Sequence, residues 1–562
     1  MTRKIYTFLF LFFIVALSGC LKDDLNDLQD QIDDLNQKVG DLEEIQQNQL
    51  LQAIQQLQAA LQELESNTDA RYTALLENLQ LIEDEVANNA AAVYYGNLLT
   101  DEEYAKFTAQ GATIVTGKVT ATTSEHIEAL ASLKLVGDDL IITSGTGVTL
   151  ENLENVGNDL LITGVTGDAV IQLPALGSVG GNLEVTMNPG LVEFAADELV
   201  LVNGALQVSA NDNLLALSFA KLDMADELYI NEYFEADPEY IFVGKLSSIN
   251  LSGVDVKNDV TISYIAGGTA EIGSVGGEFN VIYTGLTSIS ILSEKIGGNF
   301  TLQYNSALND VVADNLKEIE GNVDISFNDN SYLWTQETRT GMVNMPSFSA
   351  LETIMGDVNI VGNNQLKSLE AFNNVTLLRG NKIEISSNGM DIENILVFDA
   401  LTTAGANQFA SIDININANT NWFDGFGSLA KAKYIYLNIK RPSEGFGGGI
   451  GIGVSTITDV ARVDGFDSMT EVSNMFMDLM EVTEFNAFPV LDNFQNFQTY
   501  LELWMPSDSN VGVCSMANIL NKIKDGAFDV SWNENRKAVF RYNYMEMDRN
   551  TAIDQLLSTC NP

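Results

Sequence analysis

The sequence predicts a mainly β chain: a parallel β-solenoid of about 14–16 coils, preceded by a long helix and closed by a small α/β cap. Three observations carry this. A phrase Gly-(Gly/Asn/Asp)-apolar-x-apolar-polar returns about every 20–23 residues, from Gly137 onward. An apolar seam with 4,3,4,3 spacing runs through residues 21–42 and resumes twice before residue 90. The last stretch mixes helical and strand patterns between Cys514 and Cys560.

Residues 1–19 read as a removed leader. Arg3 and Lys4 open it, Ile5 to Leu17 is an apolar run too short to span a bilayer, and small residues precede Cys20. Leu17-Ser18-Gly19-Cys20 resembles the lipobox of bacterial lipoproteins, which implies that Cys20 is diacylated and becomes the first mature residue. Leu21-Lys22-Asp23-Asp24 is similar to the export tag of Bacteroidota-type surface lipoproteins. The implied address is the outer membrane, lipid-anchored and exposed at the cell surface, so the membrane is the first expected partner.

Residues 20–90 read as a coiled-coil stalk. Leu21, Leu25, Leu28, Ile32, Leu35, Val39 and Leu42 form an a/d seam among Asp, Asn, Gln and Lys. The seam resumes at Leu50, Ile54, Leu57, Leu61 and Leu64, and again at Tyr72, Leu75, Leu79, Ile82 and Val86. Each jump of eight is a stutter that relaxes the supercoil. The seam implies a homo-oligomer through the coiled coil, reaching roughly 100 Å. The other reading of the same stripe is a single helix folded back onto the chain's own solenoid.

Residues 91–505 form the solenoid. The first apolar residue of each phrase marks the register: Leu140, Leu160, Leu183, Leu206, Leu228, Val260, Phe279, Phe300, Val323, Val358 and Ile383. The intervals Leu228–Val260 and Val323–Val358 are long, so those coils carry excursions. Weaker strand phrases continue near Ile412, Tyr434, Met475 and Leu501. The Gly-Asn/Asp pair is expected to turn the corner, where a positive φ is cheap. Alternation then puts the mark and mark+2 inward, and mark+1 and mark+3 outward. Only the two ends of such a stack have bare edges, which the stalk and cap would cover.

Residues 506–562 read as that cap: a helix from Ser515 to Lys524 stopped by Gly526, a strand from Ala538 to Tyr544, and a helix from Ala552 to Ser558. In an exported chain Cys514 and Cys560 are expected to form a disulfide. A bridge closing a loop of this length is worth about 4 kcal/mol in the chain-entropy treatment.

Residues 356–372 carry the repeat in its clearest form, Gly-Asx-apolar-x-Ile-x-x-Asn-x-x-Leu-x-Ser-Leu-x-x-Phe. This pattern resembles receptor L domains and their leucine-rich-repeat-like relatives on microbial surfaces, over about residues 130–440. The resemblance implies a leucine-rich-repeat-like solenoid that binds a partner, and no particular chemistry. The strict Leu-x-x-Leu-x-Leu-x-x-Asn block is missing, which favours a straighter right-handed parallel β-helix over a curved horseshoe.

Acidic residues outnumber basic ones 77 to 28, for a formal charge of −49. Such a surface repels phosphate backbones, so nucleic acid is not expected as a partner. The chain's one histidine, His126, rules out His-pair zinc sites, and a surface or capping role is expected for it. No metal and no cofactor are expected. Gly445 to Gly453 lacks the helix start and the Lys-Ser/Thr of a phosphate cradle, and reads as a coil connection. With so many acids, paired carboxylates carry no specificity. Catalytic residues are therefore not assigned, and the chain is read as a non-enzyme.

The binding candidates lie on the outward rows and in one loop. Mark+3 includes Thr143, Thr163, Thr186, Ser209, Ser263 and Ser326, a row that either docks protein or glycan or is simply a solvated β face. Tyr264, Tyr283, Tyr304 and Phe327 fall at mark+4, where a stacked core ladder is expected and a platform for sugar rings is the alternative. Tyr332 and Trp334 lie in the excursion after Phe327 and are the expected contact residues. The leading functional reading is a surface-exposed lipoprotein that presents its solenoid for protein or glycan binding and adhesion. The second is an accessory structural subunit of an outer-membrane uptake or secretion complex. The third is a glycan-cleaving β-helix enzyme, which would need two close carboxylates beside basic residues.

Overall fold

The computed structural model describes residues 77, 79–85, 91–143, 147–232, 244–330, 340–386, 388, 392–405, 410–417, 422–440, 461–478, 482–494, 501–505, 513–526, 539–542, 545–546, 549–558 and 560. The leader, Cys20, most of the stalk, the Tyr332/Trp334 loop and Gly445–Gly453 lie outside the described residues. The chain divides between Val275 and Gly276 into two compact units. Each is a parallel β-solenoid, and about 14 turns are described in all.

In the N-terminal unit the marks pair in register, Leu140 with Leu160, Leu183, Leu206, Leu228 and Val260 in turn. In the C-terminal unit Phe279 pairs with Phe300, then Val323, Val358, Ile383, Ile412, Ile435, Met475 and Leu501. Leu228 opposite Val260, and Val323 opposite Val358, mean that neither excursion breaks the ladder. Marks and mark+2 residues are buried, as alternation requires. Most coils add a second strand, such as Ala169–Gln172 or Asn394–Val397, and a short third one, such as Asn155–Val156 or Leu377–Leu378.

The Gly-Asx corner has a different cause from the one expected. The corner glycines, Gly157, Gly181, Gly298 and Gly321 among them, do not adopt positive φ. Instead the Asx side chain of one coil accepts a backbone N–H of the next. Asp159 Oδ1 accepts from Asn182 N at 2.8 Å and Asn182 Oδ1 from Ala205 N at 2.9 Å. Asn299 Oδ1 accepts from Asn322 N and Asn322 Oδ1 from Asp357 N, both at 2.8 Å. The glycine leaves room for that side chain: a Cβ on Gly321 would stand 2.5 Å from Asn299 Oδ1.

Positive φ occurs instead at mark+4, at Met187, Ala210 and Tyr264 in one unit and Tyr283, Tyr304 and Phe327 in the other. Bulky residues adopt this region only when their surroundings impose it. After Met187, Ala210, Tyr304 and Phe327 the next residue is a buried asparagine that bonds across the coils, while Thr284 after Tyr283 joins the same ladder through Asn305 Oδ1 and Ile265 follows Tyr264. Asn328 Nδ2 donates to Leu302 O at 2.8 Å and to Asn363 Oδ1 at 3.1 Å, while Asn328 Oδ1 accepts from Asn305 Nδ2 at 2.8 Å. Asn363 repeats the pattern with Ile325 O and Asn388. In the N-terminal unit Asn188 donates to Asn211, and Glu232 ends the ladder by accepting from Asn211 N and Nδ2 at 2.6 and 3.0 Å. A second positive-φ corner carries Phe372, Phe398, Phe426, Phe466 and Phe488, which stack as a buried spine with centroids 4.4–5.6 Å apart.

The first coils replace their second strand with helices, Asp101–Gln110 and Ser124–Ala129, which periodicity did not predict. Thr100 and Glu103 form a capping box that starts the first of them. Residues 79–85 are helical, with Leu79 and Ile82 of the apolar seam buried. Glu85 of this segment pairs with Lys134 at 2.7 Å and accepts from Thr113 Oγ1 at 2.7 Å, so its last turns sit on the solenoid of the same chain. At the other end Val539–Tyr542 adds in parallel to Leu501–Met505, and Met545–Glu546 then runs antiparallel. Helices Ala517–Lys524 and Arg549–Ser558 complete the cap, and Cys514 is bonded to Cys560 with Cα atoms 5.3 Å apart.

Candidate functional site

The mark+3 row is presented unevenly. Thr143, Thr163 and Ser209 are partly exposed, but Thr186, Ser263 and Ser326 are buried. Ser326 lies in register between the longer Gln303 and Val361, and at about 4.8 Å between strands such neighbours shield a short side chain from water. The continuous Ser/Thr face expected from the sequence is therefore interrupted. The mark+1 row is the better presented one: Thr301, Asp324, Asn359 and Glu384 are all partly exposed. Asn359 Nδ2 of this row bonds Asp324 Oδ1 across coils at 3.2 Å, and Asp324 Oδ2 accepts from Gln303 Nε2 of the mark+3 row at 2.8 Å.

The mark+4 aromatics are not a core ladder. Tyr264, Tyr283 and Tyr304 are partly exposed and Phe327 is 37% exposed, because positive φ swings them out at the corner. Tyr283, Tyr304 and Phe327 do not offer an open sugar platform either. Tyr283 and Tyr304 stack at 4.4 Å and 6°, and Tyr304 and Phe327 at 5.1 Å and 7°. Both faces of Tyr304 and the facing sides of Tyr283 and Phe327 are spent in these stacks, and Phe327 also lies against Gly362. Water meets ring edges, on which a pyranose cannot stack.

His126 is buried, 5% exposed, which corrects the surface role expected for it. Its Nδ1 lies 3.3 Å from Thr122 N, its Nε2 lies 2.9 Å from Asp101 Oδ1, and its ring stacks on Tyr104 at 4.0 Å. With Nδ1 accepting from the Thr122 amide, Nε2 carries the proton and donates to Asp101. Nδ1 thus caps the start of its own helix, the capping role expected for it, while Nε2 ties that helix to Asp101–Gln110.

The second strand ladder of the C-terminal unit carries a polar and aromatic cluster that sequence reasoning missed. Trp422–Gly425 pairs with Ala461–Val463, and that strand with Val482–Phe485. Phe423, Val463 and Phe485 point inward and are buried. Trp422, Asp424, Arg462, Asp464, Glu484 and Asn486 therefore stand outward. The Trp422 indole N–H donates to Asp464 Oδ2 at 2.8 Å, Arg462 Nε reaches the same oxygen at 2.5 Å, and Asn486 Nδ2 donates to Asp464 Oδ1 at 2.9 Å. Burial, and then the neighbouring carboxylates of Asp464, Asp399 and Asp467, push the Asp424 carboxyl up. Trp422 and Asp464 are 42 residues apart and Asp464 and Asn486 are 22 apart, so only the alternation within each short strand could have signalled the cluster. Among the described residues no group of three or more His, Cys, Asp or Glu is placed to hold a metal ion. No protein-family model matches the chain, and neither does any curated protein or solved structure.

Proposed function

We propose that this chain is a lipid-anchored protein of the outer-membrane surface whose solenoid binds a protein or glycan partner and performs no reaction of its own. The observation that carries the binding reading is the fixing of outward side chains by bonds across coils, as in Gln303–Asp324–Asn359. Side chains ordered before a partner arrives lose little entropy on binding, which is how a rigid surface gains affinity. The anchoring half rests on Leu17-Ser18-Gly19-Cys20.

Antibody labelling of intact cells tests the address, and attachment of those cells to protein- or glycan-coated surfaces tests the binding. Wild-type cells should label and attach, Cys20→Ser cells should lose label, and deletion of the chain should abolish attachment. Intact cells that never label, or attachment that survives deletion, would refute the proposal. Stoichiometric copurification with a membrane barrel would instead favour a structural subunit of a larger complex.

A further inference from the structure

We propose that the outward cluster around Trp422 on the second strand ladder of the C-terminal unit is a binding site for a neutral glycan. This rests on the binding function above and specifies the ligand class. The indole is held by its N–H on Asp464, which belongs to the next coil, so it is drawn along the sheet surface with its orientation set. On the next strand lie Arg462, in register with Trp422, and Asp464, and one strand further on lie Glu484 and Asn486, whose Nδ2 also bonds Glu484 Oε1 at 3.0 Å. A pyranose has an apolar C–H face and vicinal hydroxyls. An indole supplies the matching apolar surface, and planar amide, carboxylate and guanidinium groups supply paired acceptors and donors. The site stands on paired strands rather than on a loop, so these groups keep their spacing.

Charge chooses among glycans. Asp399, Asp424, Asp464, Asp467 and Glu484 gather here, and Arg462 is already paired with Asp464 and lies 3.7 Å from Glu484. A uronate or sulfate would meet this negative field without a spare cation. A lysine-rich segment would be drawn to the field. Its flexible aliphatic side chains, however, have no flat C–H face to match the indole, as a pyranose has.

Calorimetric titration of the full chain with cellohexaose, maltohexaose and mannohexaose tests this, with hexagalacturonate and hexalysine as charged comparisons. At least one neutral hexaose should bind. Trp422→Ala should weaken that binding about 30-fold or more, as loss of a central aromatic anchor does. Trp422→Phe should retain most of it, and Asn486→Ala should weaken it about tenfold. The two milder variants decide the matter if Trp422→Ala fails to fold. The proposal is overturned if no neutral hexaose binds, if binding ignores these substitutions, or if only a charged ligand binds. Intact-cell attachment separates this from the broader function: attachment that persists in Trp422→Ala cells removes this site and leaves the surface-binding role standing.

Discussion

Asn328→Ala should cost about 4 kcal/mol, although it removes only three heavy atoms. Asn328 is fully buried at the middle of the asparagine ladder. Its loss leaves the Leu302 carbonyl without its 2.8 Å donor and the Asn305 side-chain N–H without its 2.8 Å acceptor, and it also removes the 3.3 Å acceptor of the Asn305 amide. A buried polar group left unpaired costs about 1–3 kcal/mol. Two strong bonds and one weak one give the total. Asn363 Oδ1 keeps the Asn328 amide as a donor, so the damage stays local. Urea unfolding followed by circular dichroism reads the first transition, with Asn359→Ala as the partly exposed comparison, expected to lose less than about 1 kcal/mol. Asn328→Asp sharpens the test. It keeps the acceptor for Asn305 but turns an oxygen toward the Leu302 carbonyl where an amide N–H stood. It should therefore be least stable at pH 8 and recover in part near pH 4, where a protonated carboxyl can donate. A loss below 1 kcal/mol for Asn328→Ala, or an Asn328→Asp variant that matches wild type at pH 8, would refute the idea that the ladder holds the positive-φ corner.

Glu232 sets a pH dependence, since burial pushes its carboxyl up from 4.5 to about 7, the two Asn211 bonds pull it down, and Asp212 pushes it further up. A folded value above the unfolded one contributes stability that is complete below about pH 4.5 and is lost as pH rises through 7, about 3 kcal/mol in all; Glu232→Gln should flatten the stability profile between pH 5 and 8, and an unchanged slope would contradict this. Gly321→Ala should lower the melting temperature by many degrees because its Cβ meets Asn299 Oδ1 at 2.5 Å and backbone at 2.6 Å, whereas Gly111→Ala, with open space around a φ of 66°, should cost only about 1 kcal/mol. Equal shifts in a thermal melt would show that close approach is not what selects glycine at the corner. Cys514→Ser should release the terminal helices, lower thermal stability by up to about 4 kcal/mol and promote aggregation through the last coil's edge, as read by light scattering during a melt; two reactive thiols in the folded wild-type chain would refute the premise.

The sequence by itself determined the parallel stacking and its register, because one apolar mark per coil and strict alternation leave a single pairing that buries every mark. It also determined where the two excursions interrupt the repeat, the make-up of the cap and the pairing of its cysteines. Two signals were present and went unread: the Thr100/Glu103 capping box that starts a helix in the first coil, and the Phe of the Leu-x-x-Phe phrase that returns as a buried spine. Only the tertiary structure decided what the corners do. A glycine chosen for positive φ and one chosen for a neighbour's side chain look the same in sequence, and the space beside Gly321 is set by Asn299 of the preceding coil. The same holds for Tyr304, whose inward or outward direction follows from a backbone φ imposed by the next residue's bonds to other coils. The Trp422 cluster was hidden for a related reason: Asp464, which holds the indole, is 42 positions away in the chain and Asn486, which bonds Asp464, another 22, and only coil stacking, a long-range property, brings them together.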